Sequence, residues 1–429
     1  MIKILYITRW NVLIEEEHVF IKTVWEELSQ FERAQALTIL VKDIPSSSLS
    51  FIGDRKIWIL VVPASMQSDR DAVIREIQRA FEVISPDIIH SNMQEGYELE
   101  AAEYLKIPVV TTIHIGSVIC PRGGNGLWTK KDQICDGKIG KKCIGCCCDE
   151  LPGSFIAKKL LQIIPQQFKE ILNKYFNHHQ TFFFSRLFNI ENALRDRQRY
   201  LGFLANAYPI AANNQLYNLL KYYGCKPLLI PHGVKERKRI PWPTIKDKIK
   251  FYYVGRISHQ KGLHIAIEAL KRIDPALYEF HIIGESNLGR RNQRYFKQVM
   301  RSLKKINGFF HGYVANEKFD TLVKDWHIMI HPAIYHEIYG LTISEALSVG
   351  RPVLATRCYG SEMQILDGEN GWLVSPNDVD AMEMKIKEIL HRKETLLSFS
   401  ERCSLPHKMS DYVELLIANY TMILKEDKK

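Results

Sequence analysis

A chain of 429 residues is long enough for two or three domains with substantial cores. Its 46% apolar and 25% charged residues are ordinary for a soluble globular protein. No apolar run reaches the roughly 18 residues of a membrane-spanning helix. A net charge of +10 favours an anionic partner: a nucleotide, a nucleic acid or a phospholipid surface.

The opening residues MIKILYITRW read as a buried first strand rather than a signal peptide, so the expected compartment is the cytoplasm. Short apolar runs then alternate with helical periods, the pattern of parallel sheets covered by helices. In the first half the strands are IKILYI, ALTILV, IWILVV, DIIHS, PVVTTIHI, YPIAA and PLLIP. Helical periods fall at Val19–Phe31, Ala72–Ile84 and Tyr97–Leu105. The stretch Leu151–Asn206 carries eight Lys or Arg against three Asp or Glu and is rich in Phe, Leu and Ile. Such basic amphipathic helices suit an anionic membrane face, and a solvated domain surface is the alternative.

The Lys, Arg and Pro-rich stretch KERKRIPWPTIKDK has no apolar period and reads as the seam between two halves. Beyond it the strands are IKFYYVG, EFHIIG, FFHGYV, HIMIHP, RPVLAT and GWLVS. The helices are Leu263–Ile273, Arg294–Ile306, Asn316–Val323, Leu341–Val349 and Val379–Phe399, with a last one near Asp411–Lys425. The expected domains are 1–240 (with a Cys-rich insertion at about 120–148), 241–405 and 406–429. In two Rossmann-like domains a ligand belongs at the carboxyl ends of the strands.

The segment HEIYGLTISEALSVGRPVLAT, His336 to Thr356, concentrates the chemistry. Gly340 precedes a helix start, where the N–H groups of Gly340, Leu341 and Thr342 can hold a phosphate. Glu337 lies before that helix and Glu345 on its second turn. Two carboxylates around an anion-binding turn form a nucleotide-sugar geometry. The segment resembles the donor-site signature of GT-B glycosyltransferases of family 4, the "glycosyl transferases group 1". The resemblance continues in VGRISHQKG, whose Arg256 and Lys261 can clamp a diphosphate. It continues in HGYV around Tyr313, where the family turn meets the base, and in IPHGV, where His232 stands in place of Asn. In CYGSEMQILDGENGWLV, Tyr359 replaces a common Gly and Glu362 reads as structural. His114, ending the strand run TTIHIGS, resembles the family's strand-end His that contacts the donor sugar. The first loop departs from the family: TRWNVLIEEEHVF has no glycine, and Arg9, Trp10 and Asn11 are expected to line the acceptor side.

Six of nine cysteines fall within Cys120–Cys148. Cys143 and Cys146 form a C-x2-C pair that, with Cys120 and Cys135, fits a closed four-thiolate zinc site. The segment also resembles a Cys-rich insertion found in a subset of family 4. Structural zinc is the expectation, with free thiols, a disulfide or an iron–sulfur group as alternatives.

The resemblance implies an α/β chain of GT-B fold, two Rossmann-like domains facing across a cleft, with a C-terminal helix crossing back to the first domain. It implies a retaining transferase that moves a sugar from a nucleotide-diphosphate sugar to a hydroxyl, on a glycan or lipid-linked acceptor of cell-surface polysaccharide synthesis. Glu337 would grip the sugar, Glu345 the ribose, Arg256 and Lys261 the diphosphate, and His114 the sugar from the other domain. No catalytic metal is called for, and nucleic acid is not an expected partner, because no nucleic-acid motif accompanies the charge. The alternatives are an epimerase or phosphorylase on the same scaffold, or a catalytically silent subunit of a membrane-associated glycan complex.

Overall fold

A computed structural model describes residues 2–9, 19–66, 69–93, 96–114, 120–121, 127–128, 133–148, 164–165, 168, 182–286 and 290–427. The chain forms two compact units, one of residues 1–124, 137–233 and 409–429, the other of 125–136 and 234–408. The stretch KERKRIPWPTIKDK, residues 235–248, expected as the seam between two halves, therefore belongs to unit 2.

Unit 1 is built on strands β1 (Ile4–Arg9), β2 (Ala34–Lys42), β3 (Ser48–Ile52), β4 (Ile57–Pro63), β5 (Ile88–Ser91) and β6 (Val109–Thr112). Two short strands, β7 (Leu127–Trp128) and β8 (Gln133–Ile134), pair as a hairpin within unit 2. β9 (Tyr208–Ala211) and β10 (Leu228–Leu229) return to unit 1. Its sheet runs β10-β9-β6-β5-β1-β2-β4-β3. All pairings are parallel except β3 against β4, an edge hairpin that the sequence reading missed. The order reverses at β1, whose neighbours are β2 and β5.

Apolar strands such as Ile4–Ile7 and Ile88–Ile89 are fully buried, as a sheet covered on both faces requires. The helix Arg70–Ile84 starts at Asp69, whose side chain accepts from the Ala72 N–H at 3.0 Å, and turns Val73, Ile77, Ala80 and Phe81 inward. The last helix, Met409–Glu426, belongs to unit 1 as expected. It buries Tyr412 and Tyr420, and Tyr420 hydrogen-bonds Nδ1 of His90. Burial takes the His90 pKa down to about 3, so its ring is neutral.

Unit 2 holds β11 (Ile249–Val254), β12 (Tyr278–Ile283), β13 (Gly308–Gly312), β14 (Ile328–His331), β15 (Val353–Thr356) and β16 (Gly371–Val374). The sheet is wholly parallel in the order β13-β12-β11-β14-β15-β16. It reverses between β11 and β14, so the loops leaving those two strands flank a topological switch point. The 235–248 stretch is tied to this unit by two arginines. Fully buried Arg351 donates to the carbonyls of Ile240 (3.1 Å) and Pro241 (3.0 Å), and Arg239 donates to Cys403 O at 2.9 Å. Backbone carbonyls that lack a regular ladder thus receive guanidinium donors instead.

Candidate donor-sugar site

The loop after β11 carries Arg256 and Lys261, and the loop after β14 carries Glu337. Gly262 lets the two loops touch. Its φ is +70°, and a Cβ there would lie 1.7 Å from the Pro332 carbonyl oxygen. The Ile334 N–H donates to Gln260 O at 2.9 Å, locking the loops together one residue from Lys261.

The result is a compact charged centre. Lys261 Nζ donates to Glu337 Oε2 at 2.6 Å, and the Tyr335 hydroxyl donates to the same oxygen at 2.7 Å. His331 Nε2 lies 3.3 Å from that oxygen, too far off line for a hydrogen bond. Glu337 is 7% exposed. Burial by itself pushes its pKa up. The Lys261 ammonium overcomes this and holds the carboxyl well below the usual carboxylate range. Burial keeps His331 neutral. Glu337 therefore stays a hydrogen-bond acceptor at any physiological pH. Arg256 contrasts with it: it is exposed and has no ion-pair partner among the described residues.

Gly340 follows with φ +82°, a left-handed turn that opens the helix Leu341–Ser348. Gln364 clamps this turn by donating to the carbonyls of Tyr339, Gly340 and Gly360, and it accepts from Ser344 Oγ. The half-buried Leu341 and Thr342 present their first-turn N–H groups on the positive end of the helix dipole. Glu345, with 21% of its side chain exposed, sits one turn on. Arg237 Nη2 is 3.9 Å away, and the same guanidinium donates to Asp320 at 2.8 Å. Burial raises the Glu345 pKa, and the shared arginine offsets only part of that. Tyr313, just past β13, is 72% exposed.

Tyr359 takes φ +68°, which explains why a Gly is at home there; a side chain in that conformation costs roughly 1–2 kcal/mol. Its N–H is held by Glu362 Oε2 at 3.0 Å, the structural part read for that acid. Arg237, His331, Tyr335 and Gln364 were not singled out in the sequence. No motif marks them, because they act through partners brought in by other strands.

In unit 1, His114 follows β6 and is half-buried. Its Nε2 is 2.7 Å from Asn92 Oδ1, while Asn92 Nδ2 donates to Ile7 O at 3.3 Å. With the amide so oriented, Oδ1 accepts and His114 carries its proton on Nε2. Phe20 stands edge-on to the His114 ring at 5.6 Å. His232, in place of Asn, packs on Phe20 at 4.3 Å. Arg9 closes β1, and Trp10 and Asn11 lie outside the described residues.

The four cysteines expected around zinc are not gathered. Among the described residues no group of three or more His, Cys, Asp or Glu could hold a metal ion. Cys135 goes with unit 2, and Cys120, Cys143 and Cys146 go with unit 1. Cys143 and Cys146 lie on one helix, Lys141–Cys148, where Cys143 turns inward and Cys146 is half-buried. Residues 115–119, 122–126 and 129–132 are outside the described set. So is most of the basic stretch 151–206 before the helix Phe182–Ala205. No described helix is long and apolar enough to cross a membrane.

The D-inositol 3-phosphate glycosyltransferase of Geodermatophilus obscurus is 27% identical over 255 residues, 54% of this chain and 56% of that protein. The O-antigen chain mannosyltransferase C of Escherichia coli is 26% identical over 262 residues, 56% of this chain and 66% of that protein. The chain thus spans less than two thirds of either relative. Among solved structures, Anabaena HepE in complex with UDP and glucose superposes with a TM-score of 0.64 at 14% identity, covering 98% of this chain and 100% of that one. Sucrose-phosphate synthase from Thermosynechococcus elongatus gives 0.67 at 15% identity, covering 99% of each chain. Two parallel, Rossmann-like sheets with this match give the chain the GT-B glycosyltransferase fold, and residues 234–404, the bulk of unit 2, match the family described as "Glycosyl transferases group 1".

Proposed function

We propose that the chain is a retaining glycosyltransferase of the family 4 kind. It would move a sugar from a nucleotide-diphosphate sugar to a hydroxyl acceptor without a catalytic metal. The observation that carries this reading is the buried Glu337, held by Lys261 at 2.6 Å at the switch point where the helix Leu341–Ser348 begins. A permanent carboxylate accepts hydrogen bonds from sugar hydroxyls. The unpaired Arg256, the Lys261 ammonium and the first-turn N–H groups beside it receive the diphosphate.

In the proposed reaction the bond from the anomeric carbon to the phosphate oxygen breaks, and the electron pair leaves with the diphosphate. Arg256, Lys261 and the amides of Leu341 and Thr342 stabilise that charge. The acceptor oxygen attacks the same face, and its proton passes to a leaving phosphate oxygen. Glu345 takes the ribose and Tyr313 lies beside the base. His114, oriented by Asn92, would contact the sugar. UDP-sugars are the first donors to test, because the Anabaena structure is a complex with UDP and glucose. A glycan or lipid-linked acceptor is the natural class, given the O-antigen mannosyltransferase among the relatives.

The test is a panel of nucleotide sugars assayed for donor hydrolysis in the presence of chelator, followed by NMR of the transfer product. Hydrolysis without added magnesium or manganese and a retained anomeric configuration are expected. A strict need for either ion would sink the metal-free mechanism, and an inverted product would remove the chain from the retaining class.

A further inference from the structure

Between Arg290 and Tyr313 stand seven Lys or Arg and not one Asp or Glu. The helix Arg290–Leu303 covers most of this span. It turns Tyr295, Val299 and Leu303 into the unit 2 core, at intervals of four residues. Arg294, Lys297 and Arg301 point the other way and are exposed, and exposed Lys304 and Lys305 extend their stripe past the helix end. None of these five has an ion-pair partner among the described residues. The charge is thus unspent within the unit.

The strand that follows, β13, is the edge of its sheet. It carries Phe309 and Phe310, 43% and 40% exposed. Their side chains lie on opposite faces: Phe310 packs edge-on against Phe296 of the basic helix at 5.6 Å, and Phe309 stacks on His281 at 5.0 Å. An exposed edge strand bearing adjacent aromatics invites a partner.

We infer that the β13 edge and the basic face of the helix Arg290–Leu303 form a docking surface for an anionic phospholipid membrane. Charge complementarity selects the occupant. Edge-to-edge pairing with a second copy would set two such cationic stripes against each other. Stacked bases need aromatics on one face of a strand, whereas Phe309 and Phe310 straddle the edge and can both enter a lipid interface from it. Phe in the interfacial layer with Lys and Arg beside it is the composition of a peripheral membrane anchor. The inference does not depend on the transfer reaction.

The experiment uses the full chain and vesicles of phosphatidylcholine with or without phosphatidylglycerol, read by cosedimentation at low and raised salt. Binding is expected only with phosphatidylglycerol and should weaken with salt. Replacing Lys297, Arg301 and Lys304 by Gln should weaken it about 100-fold, at roughly fivefold per cation near such a surface. Because those side chains are solvent-exposed, circular dichroism and donor hydrolysis without vesicles should be unchanged. Phe309→Ser with Phe310→Ser should also reduce binding, while retaining the charge stripe. Wild-type binding by the triple Gln variant would overturn the proposal. So would binding of an RNA oligonucleotide in place of the vesicles, or a dimer that the Phe309→Ser, Phe310→Ser variant dissolves.

Discussion

Glu337 and Glu345 stand eight positions apart, and both are largely withdrawn from water, yet their protonation is driven in opposite directions. Glu337 has an ammonium at 2.6 Å and a tyrosine hydroxyl on the same oxygen. Glu345 has a guanidinium only at 3.9 Å, and Asp320 already holds that group at 2.8 Å. Burial pushes both pKa values up; only an undivided cation in contact reverses the push. Two acids of one motif are thus a fixed anion and an acid that gives up its proton reluctantly.

The sharpest way to break this comparison is Lys261→Ala. Turnover should fall about 100-fold or more, by analogy with a lost oxyanion donor. Stability should fall by roughly 3–5 kcal/mol, because Glu337 is left buried and charged without its partner. Adding Glu337→Gln should restore much of the stability in urea unfolding and none of the turnover. An unchanged midpoint in the single variant would show that the pair does not govern Glu337.

Arg256→Ala supplies the control. Turnover should again drop about 100-fold, since a cation facing the diphosphate is lost. Stability should stay within about 0.5 kcal/mol, as for exposed residues without partners. A large destabilisation would mean that Arg256 has a structural task and is not held for a ligand.

The smallest effect belongs to Glu345→Gln. Its folded-state pKa is raised, so the folded chain keeps this proton longer than the unfolded chain does. Stability from this site is full below the unfolded value of about 4.3 and declines as pH rises through the raised folded value. The Gln variant should lose that decline and be slightly more stable at neutral pH. Its nucleotide-sugar affinity should drop about tenfold, for one charge-assisted hydrogen bond. Glu337 behaves in the opposite sense. Its depressed pKa gives stability above about 4.3 that is lost only in strong acid, so no inflection from it should appear between about pH 5 and 9. A pH–stability slope unchanged by Glu345→Gln would remove the distinction between the two acids.

Much of the architecture was legible because the strands are short apolar runs with sharp ends. Tyr97–Leu105 and Asn316–Val323 have the bounds that their periods predict. Val379–Phe399 read as one helix, but a 3-10 turn at Lys393–Thr395 divides it. Apolar residues continue on both sides, so periodicity alone does not register the break. β3 was illegible because it is short and none of its residues is buried, which leaves only SLSFI as a signal. At the site, Glu337, Lys261 and Gly340 were visible from spacing and resemblance. Arg237 was not, since it lies in a stretch whose prolines and charges read as a linker. The cysteines illustrate the reverse case: spacing suggested a common ligand, and the chain distributes them between two units.

The placement of the helix Met409–Glu426 has a consequence in time. Every residue of unit 2 is translated before that helix, whereas unit 1 needs its Tyr412 and Tyr420 to close the core around His90. At about 5–20 residues per second, the first strands wait tens of seconds for the last helix. The half begun first on the ribosome is completed last, and through that interval the face that receives the helix is open to chaperones and proteases.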